Sequence, residues 1–256
     1  MKLVLQRWQA AVCALLFSTA IVCAETPDTP GPTTLSFVRG QVLLRAPQGK
    51  IEFAKAGRVV AEGATVVTGE NAHAEVKPPA GLWRLGRRAV FTPRADGARL
   101  LAGTVLAVIP AGRTWSVESA RGLVALGEGT WILQAVDNEG LKLICLDGPA
   151  EAVALGEVTA PAPEPTRHVR LRPGELAFLL PGGRAFGPVV TIFLQELLAT
   201  SRLVQDFPDD LPDARRLKNL ATAQGEQLKA VSNALVAGAQ DEKGFQLVVP
   251  KPAAKK

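Results

Sequence analysis

The 256-residue chain sets 29 Lys and Arg against 24 Asp and Glu, a formal charge of +5, with 47% hydrophobic residues and 5% aromatics. So mild a balance, with no concentrated basic face interleaved with aromatics, argues against nucleic-acid binding. Two histidines, three cysteines and no tyrosine leave little material for acid–base or nucleophilic chemistry, which points away from an enzyme.

In chain order, the first element is an export signal. Lys2 and Arg7 form a positive n-region, and the uncharged run from Ala10 to Cys23 spans about 14 residues, short of the ~20 that a membrane-spanning helix needs. Val22-Cys23-Ala24 puts small residues before a cleavage after Ala24, so residues 1–24 are read as the signal peptide and 25–34 as a Pro-rich linker. Cleavage removes Lys2, Arg7 and no acid, leaving +5 − 2 = +3. It also removes Cys13 and Cys23, so Cys145 stands alone and no internal disulfide framework exists. The expected location is periplasmic or secreted. Retention of the segment as an uncleaved anchor is the alternative, whereas Ala20-Ile21-Val22 fits the lipobox of a lipoprotein at Cys23 poorly. No later apolar run is long enough to span a bilayer.

Residues 35–190 read as β. Short apolar runs such as "LSFVRGQVLLRA", "RVVAEGATVVTG", "AHAEVK", "LWRLG", "ARLLAGTVLAVIP" and "TWILQAV" end at Gly or Pro, and turn signals recur about every 8–12 residues, the cadence of a sandwich, a roll or a β-helical barrel rather than of βαβ units. In "EGATVVTGENAHAEV" the alternation assigns Ala72, Ala74 and Val76 to the inner face, and Asn71, His73, Glu75 and Lys77 to the solvent. "VDNEG" (Val136 to Gly140) has the oxygens of a calcium loop but too few of them, and reads as a hairpin turn with Gly140 left-handed. Pro161, Pro163 and Pro165 mark Val158 to His168 as a surface loop.

Over 191–240 the period changes, predicting two amphipathic helices. Leu194, Leu197, Leu198 and Val204 share one face of the first. In the second, Leu217, Ala221, Gln224, Leu228, Val231 and Leu235 recur at alternating intervals of four and three, with Gln224 and Gly225 interrupting the stripe. Residues 212–236 are therefore a candidate for self-association. "FQLVV" can form one more strand, and 241–256 is a basic, unstructured tail.

No catalytic, metal or cofactor constellation emerges. His73 and His168 lack a neighbouring nucleophile, and Cys145 in "LKLICLDG" reads as a buried thiol. Gly127 and Gly129 have no helix after them to cradle phosphate. The remaining candidate is a patch for an anionic partner made by Arg84, Arg87, Arg88 and Arg94, with a solvated strand face as the plainer reading. Trp83, Trp115 and Trp131 lie in apolar runs, where core burial competes with a carbohydrate platform.

"VRGQV" (Val38 to Val42), "AEGATVVTGENAHAEV" (Ala61 to Val76) and "GLWRLG" (Gly81 to Gly86) resemble the FecR-domain family. The likeness runs on through "LLAGTVLAVIP", "LICLDGPAEAV" and "LRPGELAFLLPGG", covering about residues 35–182. Its fixed elements are turn glycines and strand apolars rather than chemical groups. The resemblance implies a mainly β, FecR-type roll or sandwich-like extracytoplasmic domain of many short strands, here followed by a C-terminal helical region, that binds or transmits without catalysis. Family members in the strict sense add a cytoplasmic anti-sigma segment, for which the few residues before Ala10 leave no room. The expected function is thus a non-catalytic binding, sensory or scaffold module of the cell envelope, its partner an envelope protein or polymer. The alternatives are a self-associating envelope assembly protein, pairing through the helical stripe and exposed strand edges, and a carbohydrate-binding module.

Overall fold

A computed structural model describes residues 31–120, 122–136, 140–148, 150–156 and 167–231. The signal segment, most of the proline-rich 158–168 loop, Phe245–Val249 and the 241–256 tail lie outside the described residues.

Glycine and proline punctuation cuts the chain into short strands, as the cadence predicts. They are β1 (Thr34–Arg39), β2 (Val42–Arg45), β3 (Ile51–Phe53), β4 (Thr65–Thr68), β5 (His73–Lys77), β6 (Leu82–Leu85), β7 (Val90–Arg94) and β8 (Gly97–Ile109). Then follow β9 (Trp115–Ser119), β10 (Gly122–Leu126), β11 (Gly129–Val136), β12 (Gly140–Asp147), β13 (Ala150–Ala154), β14 (His168–Leu171), β15 (Glu175–Leu179) and β16 (Val190–Thr191). The β11–β12 hairpin closes with Val136 opposite Gly140, whose φ of +108° needs glycine, as the turn reading required.

The pairings make two sheets joined by one strand. The first runs β1-β5-β6-β8-β11-β12-β15-β16. The second runs β3-β2-β4-β7-β8-β9-β10-β13-β14. The 13-residue β8 belongs to both: up to Ala102 it pairs with β7 and β9, and from Gly103 onward with β6 and β11. Gly103 is the corner. Its φ is +83°, and a Cβ there would lie 2.6 Å from the Ala89 Cα, so only glycine lets the strand turn between the sheets.

Between the sheets lies one apolar core, with Leu35, Val76, Trp83, Val105, Trp131 and Leu143 from the first meeting Leu44, Val66, Phe91, Leu100, Val124 and Leu126 from the second. Trp83 stacks on Trp115 at 4.8 Å and tilts against Phe91 at 5.1 Å, so the tryptophans serve the core rather than a sugar platform.

A third layer covers the outer face of the first sheet. Helices α1 (Leu194–Thr200), α2 (Arg202–Gln205) and α3 (Ala214–Val231), with the connection between α2 and α3, set Leu194, Leu203, Phe207, Leu211, Leu217 and Ala221 on Leu82, Leu106, Ile132, Ile144, Leu146 and Leu176. The first predicted helix is broken in two at Ser201, whose extended φ/ψ of −69°/118° ends α1 and opens α2. The stripe read as a self-association element is used internally where the structure describes it, since Leu217 and Ala221 are buried on the chain's own sheet. Gln224, the polar interruption, is a clasp. Its Oε1 accepts from the Leu194 N–H at 2.9 Å and its Nε2 donates to the Ile192 carbonyl at 2.9 Å, satisfying the start of α1, where Phe193 offers no side-chain cap.

This layer is part of the folded unit. Leu217→Ala leaves a hole in the apolar cluster that Leu217 shares with Ile144 and Leu146 and is expected to lower unfolding stability by about 2–4 kcal/mol, while Thr222→Ala on the exposed face of α3 changes it by less than about 0.5 kcal/mol. Urea denaturation of the two variants against the parent checks both values.

Candidate functional site

The outer face of the first sheet carries a buried charge cluster. β5 presents His73 and Glu75 on that face, and the register of β5 with β6 sets Arg84 opposite Glu75. Glu75 accepts hydrogen bonds from Ser36 Oγ at 2.7 Å and Arg84 Nε at 3.0 Å, and Lys77 Nζ lies 3.2 Å away. The other arms of the Arg84 guanidinium donate to the carbonyls of Leu203, at 3.3 Å, and Asp209, while the Phe207 ring lies 4.5 Å from its central carbon. Arg84 is 0% exposed, yet each side of its fork is engaged.

His73 sits beside this pair at 3% exposure under an edge-on Phe207, 6.0 Å between ring centres. Neither ring nitrogen has a hydrogen-bond partner, and Nε2 stops 3.7 Å short of Asp206 Oδ2. Burial pushes the imidazole below its ordinary value of 6.5, with Arg202, Arg39 and Arg87 acting in the same direction against Asp206. For Glu75 burial works upward, but the hydrogen bonds from Ser36, Arg84 and Lys77 outweigh it and hold the carboxyl below 4.5.

Two expectations are corrected here. His73 and Glu75 do point away from the inter-sheet core, but the helical layer covers them, so neither is solvated. Arg84 is interior and serves the same layer, so it cannot join a surface patch. The other three arginines do not converge on it. Arg88 is exposed and donates to Glu70 at 2.9 Å, Arg94 binds Glu118 on the second sheet, and Arg87 is half-buried and engaged. Strand alternation and the change of sheet between β6 and β7 scatter four arginines that are close in sequence.

The open depressions among the described residues include two lined by charged side chains. One, of about 600 Å³, lies between the β5–β6 and β8–β9 turns and the start of α3, lined among others by Lys77, Pro110, Glu128, Asp213 and Arg216. Nearby, buried Asp147 accepts from Arg216 Nε at 2.6 Å and from the Gly148 N–H at 2.7 Å, so its charge is spent on structure. The other, of about 720 Å³, is lined by Arg45, Glu62, Thr92, Arg94, Asp96 and Arg99, and Arg94 and Arg99 both reach Glu118. Neither holds a histidine or cysteine. Cys145 is wholly buried, its thiol pushed up to about 12 by burial and by Asp147 and Glu175. Among the described residues no three His, Cys, Asp or Glu groups cluster to hold a metal ion, and no helix is long and apolar enough to cross a membrane.

Among the described residues the second sheet, unlike the first, has no helical cover. Its outer face carries a row in register across five strands, Phe53–Leu43–Val67–Val90–Ala102. Phe53 is 69% exposed, and Ile51 beside it is 60% exposed. β3, which begins this row, escapes a reading of apolar runs because it is three residues long. Its signal is the alternation Ile51-Glu52-Phe53 after the Gly49 turn.

Compared with protein-family models, with curated proteins and with solved structures, the chain matches none.

The buried cluster makes stability acid-sensitive. Where a folded-state pKa lies below the unfolded one, the unfolded chain binds the extra proton, so stability is whole above the unfolded value and falls as pH drops. His73 starts the loss below pH 6.5, and Glu75 adds to it below 4.5. Urea midpoints are expected to hold steady above pH 6.5 and decline beneath it, and His73→Phe flattens the interval between the two values. Separately, Arg84→Met removes the buried cation from Glu75, leaving it only Ser36 and the half-exposed Lys77, and costs about 3–5 kcal/mol, part of which the double variant Arg84→Met/Glu75→Leu recovers. A double-mutant cycle in urea measures that coupling.

Proposed function

We propose that the chain is an exported, non-catalytic module of the cell envelope, FecR-like in its β domain, that binds a partner through the outer face of its second sheet. The observation that carries this is the asymmetry of cover. The first sheet is closed by helices over a charge cluster that is internally satisfied except at His73, whereas the second leaves Phe53, Ile51 and the row behind them to solvent. Support for the compartment is the signal-like start, with Lys2 and Arg7 before the uncharged run to Cys23. The groups that would carry chemistry are spent or covered: His73 lies under Phe207, Cys145 is in the core, and Asp147 holds Arg216. What remains is shape and apolar surface, the material of recognition rather than of catalysis.

A photo-crosslinking residue at Phe53, introduced in the producing cell, tests this reading. It is expected to yield a discrete adduct in the envelope fraction, where the same residue at Thr222 on the exposed side of α3 yields none. Residence of the chain in the cytoplasm, or equal capture from both positions, overturns it.

A further inference from the structure

The two sheets offer strand edges of different kinds. At β1 the chain covers its own edge: the Leu35 N–H donates to the Arg58 carbonyl, Gly57 N–H to Leu35, and Val60 N–H to Thr33. Among the described residues nothing pairs with the outer edge of β3, which bonds only to β2, Leu43 opposite Phe53, Leu44 opposite Glu52 and Arg45 opposite Ile51. The flanking bonds, Ala46 N–H to the Lys50 carbonyl and Ala54 N–H to the Val42 carbonyl, fix which residues face β2. In an antiparallel ladder the direction alternates, so Lys50, Glu52 and Ala54 spend their backbone groups on β2, and Ile51 and Phe53 turn theirs outward. Their side chains are among the largest exposed apolar groups among the described residues.

We infer that β3 is a self-pairing edge, through which two copies of this chain join antiparallel about Glu52. In that register Ile51 lies opposite the partner's Phe53 and Phe53 opposite the partner's Ile51. Both outward residues then exchange paired N–H···O=C bonds, four in all, with no outward group of the strand left over. A β-branched residue faces an aromatic twice, a favoured cross-strand pairing. The two-fold axis passes between the two copies of Glu52, the one place where like charges meet. There each carboxylate is held by its own Arg58 at 2.6 Å, with Lys50 at 4.0 Å. Lys50 and its symmetry mate stand four strand positions apart, roughly 13 Å along the strand and beyond the ~8 Å screening length of physiological salt. The apolar rows of the two second sheets become one continuous band across the joint. A three-residue edge buries far less than the ~800 Å² per partner of a standard interface, so the pairing depends on concentration rather than being obligate.

This names a partner for one part of the surface proposed above and rests on that surface being open, but it is tested on the purified chain alone, so it can fail while the envelope crosslink stands. Sedimentation from about 1 to 500 µM is expected to show the weight-average mass rising toward twice that of one chain, with slowed amide exchange at Ile51 and Phe53 as concentration increases. Ile51→Pro removes one outward N–H without touching the ladder to β2, and Phe53→Lys places a charge on the edge. Both are expected to hold the chain at a single mass over the whole range. Cysteines placed singly at positions 50 to 54 should crosslink copies best for Glu52→Cys, because only residue 52 faces itself. A constant mass in the parent, dimerisation of Ile51→Pro equal to the parent, or a crosslinking maximum away from position 52 overturns the inference.

Discussion

A guanidinium with no exposure to water fixes the relation between the β domain and its helices. Arg84 can be buried only because Glu75 lies opposite it in register and the chain crossing above supplies two carbonyls and an aromatic ring. The dependence runs both ways. α2 is four residues long and cannot satisfy its own last carbonyls, so the Leu203 oxygen needs a donor from outside the helix. An arginine meets this demand where a lysine would not, because its planar fork reaches the carboxylate and the carbonyls at once. The path of residues 201–211 over the sheet is thus written by a side chain on β6.

The two interfaces of the three-layer fold consequently answer to different variables. Between the sheets the contact is apolar, and its stability follows packing and temperature. Between the first sheet and the helices, an apolar rim of Leu82, Ile144, Leu203 and Leu217 surrounds a polar centre containing His73, Glu75, Arg84 and Asp206. Burial of His73 and the hydrogen bonds of Glu75 displace both groups downward, so protons act on this layer from the same side. An imidazole with both nitrogens unpaired is costly at the centre of a packed layer, and the apolar rim must offset that cost.

The sequence made the β domain readable because its punctuation is local. Glycine and proline end runs where they stand, so the domain read as 35–190 ends within one residue of the strands Thr34 and Thr191, and the helices begin at Leu194. What lay beyond reach was what covers what. Alternation correctly put Ala72, Ala74 and Val76 inside and His73 and Glu75 on the other face, but it could not show that this face is covered. A hint was present in β12, where "GLKLICLD" is buried at all eight positions because the core lies on one side and the helices on the other. A strand apolar on both faces, paired with an amphipathic stripe later in the chain, implies that the second packs on the first. Gln224 carried the same kind of signal, since a polar residue inside an apolar stripe implies a buried partner, here the backbone at Ile192 and Leu194. The Arg84–Glu75 pair depends on a register between β5 and β6 that composition does not encode.

Cover is distributed unevenly for a physical reason. The first sheet projects large apolar residues on both faces and cannot stay in water, so the chain returns over it. The second sheet projects a narrower apolar band, bounded by Arg45 on one side and by Arg99 with Glu118 on the other. A single row of half-buried side chains stays near the few hundred Å² of exposed apolar surface that a soluble domain tolerates, so the face can remain open without forcing collapse onto a neighbour. The exception is the row's outer end, where Ile51 and Phe53 combine large apolar side chains with unpaired backbone groups. An edge of that kind is normally shortened, charged or covered, and β3 is shortened and carries Glu52, but Arg58 has already neutralised that charge. The molecule therefore keeps this edge short rather than hidden, which limits how strongly it can pair while leaving it free to do so.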